Sequence, residues 1–203
     1  MTKQRKRSEA RKDEILRVAL QIVDQNGIHA MTLRELADRI GISEAALFRH
    51  FDGKENIVDS MAEWVFREYV VEESGEGDVG RVLTDLMRRQ FYSFQDFPQA
   101  TSVLFQEEIF REFPRAKEMF DQRRKERAER IGALLRKARS EGKVSKDIEE
   151  NVFALIYMGS MRMAVLGWRS AGFSYDLVSQ VEPIMRQLSR LLSPDGRKKK
   201  GVA

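Results

Sequence analysis

Thr32-Leu-Arg-Glu-Leu-Ala-Asp-Arg-Ile-Gly-Ile-Ser-Glu-Ala-Ala-Leu-Phe-Arg-His-Phe51 reads as two short helices joined by a tight turn. Thr32 and Glu35 stand in the Thr-x-x-Glu spacing of a capping box, which satisfies the first orphan amides of a helix. Leu33, Leu36, Ala37 and Ile40 recur at three- and four-residue intervals and share one face. Gly41 falls where a helix C-terminus needs a left-handed residue. Ser43 caps a second helix, expected over residues 44 to 51, with Leu47, Phe48 and Phe51 on its apolar side. Ala37 is small enough to let that second helix approach. The pattern is that of a helix-turn-helix, which lays its second helix in the DNA major groove.

Helical spacing continues outward in both directions, and no run alternates apolar and polar residues as a half-buried strand does. A first helix is predicted from about Glu9 to Asn26, with Ile15, Leu16, Ala19, Ile22 and Val23 as its buried stripe and Gly27 as its stop. A fourth starts near Asp52, with Asp52 and Glu55 in capping-box spacing, and runs through Trp64 and Tyr69. Residues 74 to 80 form a joint by composition. A fifth helix covers about 79 to 94, a sixth opens at Phe97-Pro98 and ends near Glu112, and a seventh runs from Pro114 to about Ser140. Ser145 is expected to cap an eighth helix over about 146 to 170. A ninth, 175 to 192, contains Pro183, which should kink or split it. The fold class is therefore all-α, with about nine helices. Residues 1 to 53 are expected to form a DNA-binding domain with a basic N-terminal arm, 54 to 193 a second helical domain, and 194 to 203 a basic tail.

The chain holds 203 residues, 42% of them hydrophobic and 33% charged, so it can build a core and still present a polar surface. It has no Cys, which excludes a disulfide framework and thiolate metal sites. His29 and His50 lack ligand-spaced neighbours, so no metal or other cofactor is expected. The charged N-terminus shows no secretory signal, and the apolar run 152 to 168 is interrupted by Arg162; a cytoplasmic location without membrane association follows. The net charge of +4 is unevenly spread. Lys3, Arg5, Lys6, Arg7, Arg11 and Lys12 sit at one end and Arg197, Lys198, Lys199 and Lys200 at the other, leaving a mildly acidic body. The first cluster lies beside the helix-turn-helix, where it can contact phosphate.

No constellation for catalysis emerges. Gly75-Glu-Gly77-Asp-Val-Gly80 fits G-x-G-x-x-G, but it follows a helix and carries two acids where phosphate would go. No Ser-His-Asp or Cys-His arrangement is present, and no carboxylate sits in an apolar context suited to acid–base work. The chain does not read as an enzyme.

Residues 11 to 55 resemble the DNA-binding domain of the TetR family of transcriptional regulators. The resemblance rests on Arg11, Ile15-Leu16, Ala19, Gly27, Thr32, Leu36-Ala37, Gly41, Ile42-Ser43, Leu47-Phe48, His50-Phe51 and Lys54-Glu55, about a quarter of the chain. It implies all-helical homodimeric repressors whose C-terminal domain binds a small molecule and dimerises through its last two helices. Carried onto matching positions, phosphate contacts fall on Thr32, Ser43, His50 and Lys54, and base contacts on Glu44, Ala45, Phe48 and Arg49. The family often has Tyr at position 48, so the contact of Phe48 must be apolar or absent.

The residues themselves add chemistry to these positions. Arg49 can make a bidentate contact to guanine, and Glu44 can accept from a cytosine amino group. The eighth helix is apolar almost all round, so one face remains once the core is served. Gly159, Met163 and Leu166, with Val181, Ile184 and Leu188 of the ninth helix, are candidates for a two-fold interface. Phe91, Phe105, Phe110, Tyr157, Met158, Met161 and Arg162 are candidates for a pocket between helices; Arg162 pairs either with a carboxylate such as Glu107 or Glu108 or with an anionic ligand. The expected partners are double-stranded DNA with a palindromic operator, a second copy of the chain, and a small-molecule effector. The alternative is a ligand-independent nucleoid or cell-division DNA-binding factor on the same fold.

Overall fold

The computed structural model describes residues 3–70, 77–105 and 110–194, with side chains from Arg7 onward. Among them every regular element is a helix. In chain order these are α1 (Lys3–Asn26), α2 (Leu33–Ile40), α3 (Glu44–Leu47), α4 (Lys54–Tyr69), α5 (Val79–Asp96), α6 (Ala100–Phe105), α7 (Pro114–Ser140), α8 (Glu150–Ser170) and α9 (Val181–Leu192), with a 3-10 turn, Leu177–Gln180, ahead of α9. No helix among the described residues is long and apolar enough to cross a membrane.

The helices gather into two compact units, Met1–Val70 with Phe97–Gln122, and Val71–Asp96 with Arg123–Ala203. The linear division expected at residue 53 is not where packing draws the line. In the first unit α4 and α6 both pack against α1. Ile57, Val58, Met61, Trp64 and Val65 of α4 share a core with Ile15, Leu16, Ala19, Leu20, Ile22 and Val23 of α1. The predicted stripe of the first helix is thus buried as read. Each such Leu, Ile or Val removed from water contributes roughly 1.5–3 kcal/mol. Trp64, Tyr69 and Phe97 stack edge and face at 4.8–6.1 Å between centroids. The Arg17 guanidinium lies 5.5 Å from the Trp64 ring and 5.0 Å from the Phe97 ring, closing that cluster with a cation over aromatic faces.

In the second unit, α8 buries Phe153, Ala154, Tyr157, Met161, Val165 and Trp168, one stripe at helical spacing. Val181, Met185, Leu188 and Leu192 of α9 and Leu83, Leu86, Met87 and Phe91 of α5 are buried in the same unit. The Tyr157 hydroxyl donates to the Leu83 carbonyl (2.8 Å), so this buried phenol keeps a hydrogen bond.

Several boundaries differ from the sequence reading. The first helix begins at Lys3, not near Glu9, so the basic residues belong to a helix and not to an arm. Lys, Arg, Gln, Glu and Ala are good helix formers, and no Gly or Pro intervenes before Gly27. Helix α4 begins at Lys54 with Gly53 as its N-cap and no side-chain cap; the Asp52–Glu55 box does not form, and the Asp52 amide instead donates to Asn56 Oδ1. The sixth helix is described as Ala100–Phe105, 106–109 lie outside the described residues, and 110–112 are not α-helical, short of the expected end near Glu112. Ser145 does not cap α8, which starts at Glu150. Its Oγ accepts from the Asp147 amide and its own amide donates to the Leu192 carbonyl, making a turn tied to the end of α9. Pro183 splits the last segment as expected: it falls in the first turn of α9, behind the 3-10 turn, where its missing N–H leaves no gap.

Candidate nucleic-acid interface

The turn between α2 and α3 is built from local hydrogen bonds. Thr32 Oγ1 accepts from the Glu35 amide at 3.1 Å. The reciprocal half of the capping box is absent, because the Thr32 amide already donates to the Ala30 carbonyl and the Glu35 carboxylate takes Arg39 Nε at 2.7 Å. Arg39 also reaches Gln25 of α1 (3.0 Å), which fixes α2 laterally. At its C-terminus Gly41 adopts φ 74, ψ 38. The Ile42 amide donates back to the Ala37 carbonyl (3.0 Å), the six-to-one bond of a Schellman turn. Ser43 Oγ then accepts from the Ala46 amide at 3.2 Å and starts α3. Leu36, Ala37, Leu47 and Phe51 are buried, so the two helices are pinned to the core of their unit.

Only Glu44–Leu47 is α-helical; residues 48–50 are turn, shorter than the helix to 51 that the apolar spacing suggested. The His50 and Phe51 amides both donate to the Leu47 carbonyl, so the backbone stays coiled to Phe51. Phe48 was also expected on the buried side, yet it is 53% exposed. With Leu47 and Phe51 filling the interior, the shorter helix turns residue 48 outward. Glu44, Ala45 and Arg49 are exposed as well. Neither Glu44 nor Arg49 makes a side-chain hydrogen bond or ion pair with a described residue. The four residues assigned to base contact therefore lie on the surface. Of the four assigned to phosphate, Thr32 and Ser43 are exposed caps, and His50 is half-buried. Lys54 Nζ donates to the Ile28 carbonyl at 3.0 Å, so it also ties the start of α4 to the loop before α2.

His50 sits in a cationic setting. Its Nδ1 is buried without a hydrogen-bond partner. Burial first, then the charges of Lys12, Arg49 and Arg11, push its imidazole below the ordinary value. Lys12 Nζ lies 5.5 Å above the Phe51 ring. Arg11, part of the family pattern, and Lys12, read as part of the basic run that can contact phosphate, thus come to the same neighbourhood as the end of α3. Helical numbering from Ile15 would have put them one turn N-terminal of the buried stripe. Among the described residues no group of His, Cys, Asp or Glu is arranged to hold a metal ion.

The residues nominated for a ligand pocket do not fall in one unit. Phe105 and Phe110 belong to the first, where Phe110 stacks on Phe120 at 4.8 Å. Phe91, Tyr157, Met158, Met161 and Arg162 belong to the second, where Phe91, Tyr157 and Met161 are core. Glu107 and Glu108, nominated as partners of Arg162, lie outside the described residues.

On the surface of the second unit α8 carries an apolar stripe opposite its buried one. Val152, Leu155, Ile156 and Met163 are exposed, Leu155 at 72% and Met163 at 67%. Gly159 lies between them at helical spacing, and a Cβ there would meet nothing within 4 Å. Leu166 and, on α9, Ile184 are half-buried, and Leu191 is exposed. Val181 and Leu188, nominated with them, are instead buried in their own unit, because α9 must give one face to α5. Val152, Leu155, Ile156 and Leu191 extend this exposed stripe beyond the residues the sequence nominated; their offsets of three, four and seven residues from Gly159 or Ile184 were the available signal.

Residues 15–61 match the family model described as bacterial regulatory proteins, tetR family. The nucleoid occlusion factor SlmA of Aliivibrio fischeri (strain MJ11) is 37% identical over 76 residues, 37% of this chain and 36% of that protein. The transcriptional repressor KstR2 of Mycolicibacterium smegmatis is 34% identical over 64 residues, 30% of this chain and 31% of its own length. The chain thus spans about a third of these relatives. The fold extends further: the structure of the transcriptional regulator FadR from Bacillus subtilis in complex with stearoyl-CoA superposes with a TM-score of 0.70 at 15% identity, covering 88% of this chain and 97% of that one.

Proposed function

We propose, from the match of residues 15–61 to the model of the tetR family of bacterial regulatory proteins, that the chain is a sequence-specific DNA-binding transcriptional regulator, a homodimeric repressor released from a palindromic operator by a small molecule. The observation that carries the proposal is the surface made by Glu44, Ala45, Phe48 and Arg49. These side chains are exposed on a segment whose backbone is locked by Ser43 and the left-handed Gly41. Such a surface is shaped to enter a major groove while Thr32, Ser43, His50 and Lys54 take backbone phosphates. The whole chain, by this account, acts in transcription control and not in catalysis. The reading head lies within residues 1 to 53, and effector binding and dimerisation fall to 54 to 193, although α4 and α6 pack in one compact unit with the reading head.

One helix-turn-helix reads too few base pairs for adequate discrimination, and two-fold pairing doubles the site. The apolar stripe of α8, open at Gly159 and continued by Leu191 of α9, suits a second copy of the same stripe, packed helix on helix. An effector that binds two arrangements of the dimer with different affinity shifts operator occupancy; one that binds them equally shifts nothing. FadR, named in complex with stearoyl-CoA, makes an acyl-CoA the first effector to try in a thermal-shift titration. A second reading, a nucleoid-associated factor that needs no effector, is favoured by the likeness to SlmA over the first domain.

A mobility-shift assay with genomic fragments at stated salt tests the proposal. Retention of a few promoter fragments supports the regulator, and genome mapping that returns many dispersed sites supports the nucleoid factor. Failure to retain any duplex rejects both.

A further inference from the structure

We infer that Phe48 reads a thymine methyl group, and so sets a preference for one T·A pair in each half-site; this rests on the DNA-binding proposal above. Leu47 and Phe51 on either side point inward, at 1% and 3% exposure, while Phe48 stands 53% exposed. Its backbone is held in the helical region, φ −62, by a hydrogen bond that its amide donates to the Glu44 carbonyl at 3.1 Å. Ala45, three residues earlier, is exposed on the same side of the coil. Together they make a small apolar spot whose orientation the turn determines. Arg49 follows it directly in the chain, and Lys12 Nζ lies 5.5 Å from the ring of Phe51, three residues on. An apolar protein partner would have to strip water from these cations, whereas a polyanion satisfies them.

Major-groove edges present hydrogen-bond donors and acceptors at every base pair, and their one apolar group is the C5-methyl of thymine. A phenyl ring has no donor or acceptor to offer. Set against guanine O6 and N7 or a cytosine amino group, it would bury those atoms unpaired. Set against the methyl, it gains contact at no polar loss. A tyrosine at this position could bond to phosphate or base with its hydroxyl; Phe48 removes that option and leaves the methyl as its partner.

The test begins with duplexes selected by the protein from a random-sequence library. In each selected duplex thymidines are replaced one at a time by deoxyuridine, which deletes the methyl and keeps the base pair. Affinities are read by fluorescence anisotropy at fixed salt. At one thymine per half-site the wild type should lose about fourfold, the value of one buried methyl group. Phe48→Ala should bind the thymine and uracil duplexes equally, and Phe48→Leu should keep part of the difference. The exposure of residue 48 means that neither variant disturbs the core. Equal affinity for every uracil duplex in the wild type, or unchanged discrimination in Phe48→Ala, overturns the inference while DNA binding stands. Enrichment of no duplex overturns both.

Discussion

Replacing Gly41 by alanine isolates backbone strain from steric clash. Gly41 sits at φ 74, ψ 38, and a Cβ built there meets no atom within 4 Å. The cost is that of the left-handed conformation itself, about 1–2 kcal/mol for a residue with a side chain. Alanine also restricts the unfolded chain, which offsets about 0.4–1 kcal/mol. The expected net loss is about 1 kcal/mol, and Gly41→Asn should lose about half as much, since asparagine tolerates this region. Trp64 is buried in the first unit and Trp168 in the second. A Trp168→Phe background therefore lets urea unfolding be followed through Trp64 alone. Alanine as stable as glycine, or asparagine worse than alanine, would refute the role of the left-handed turn in holding α2 against α3.

Arg49→Ala should cost about 1–3 kcal/mol on the preferred sequence and relax preference at one position; equal weakening on all sequences would contradict base contact. Lys54→Met should lose about 1 kcal/mol of stability with the Ile28 carbonyl bond, weaken every duplex alike, and flatten the salt dependence; a loss confined to one sequence would count against it. Leu155→Asp with Met163→Asp should convert a dimer to monomer in sedimentation with unchanged circular dichroism, because both residues are exposed; a persisting dimer places the interface elsewhere. His50 carries a pH signature. Burial and three cations lower its folded value below the 6.5 of the free side chain, so stability is full above 6.5. It falls as pH drops towards the lowered value, where only the unfolded chain takes the proton. His50→Gln should flatten that segment of the urea midpoint against pH, and a wild-type slope in the variant would contradict the assignment.

The helix-turn-helix was legible because its signals are local. Thr32, Gly41 and Ser43 act within four residues of themselves, and the stripe Ile15 to Val23 needs only helical periodicity. What escaped the sequence depended on competition between partners. The Glu35 carboxylate fits a capping box by spacing, yet Arg39 one turn along takes it. Asp52 and Glu55 fit another, yet Gly53 occupies the cap. Spacing alone sets Phe48 on the apolar side, and only the family resemblance sets it on DNA; Leu47 and Phe51 already fill the interior. The same holds for α9, where Val181 and Leu188 look like Ile184 and Leu191 in sequence and differ only in which neighbour each faces. The bond of Lys54 to the Ile28 carbonyl, 26 positions away, likewise leaves no local trace in the sequence.

Equilibrium binding of the purified full chain to genomic duplex fragments, followed across a salt series, tests the central claim most directly. The account predicts tight retention of a small set of fragments, a steep fall in affinity with added salt, and loss of the preference for those fragments in Arg49→Ala. A folded protein that binds no duplex even in dilute salt, with or without stearoyl-CoA, would contradict it.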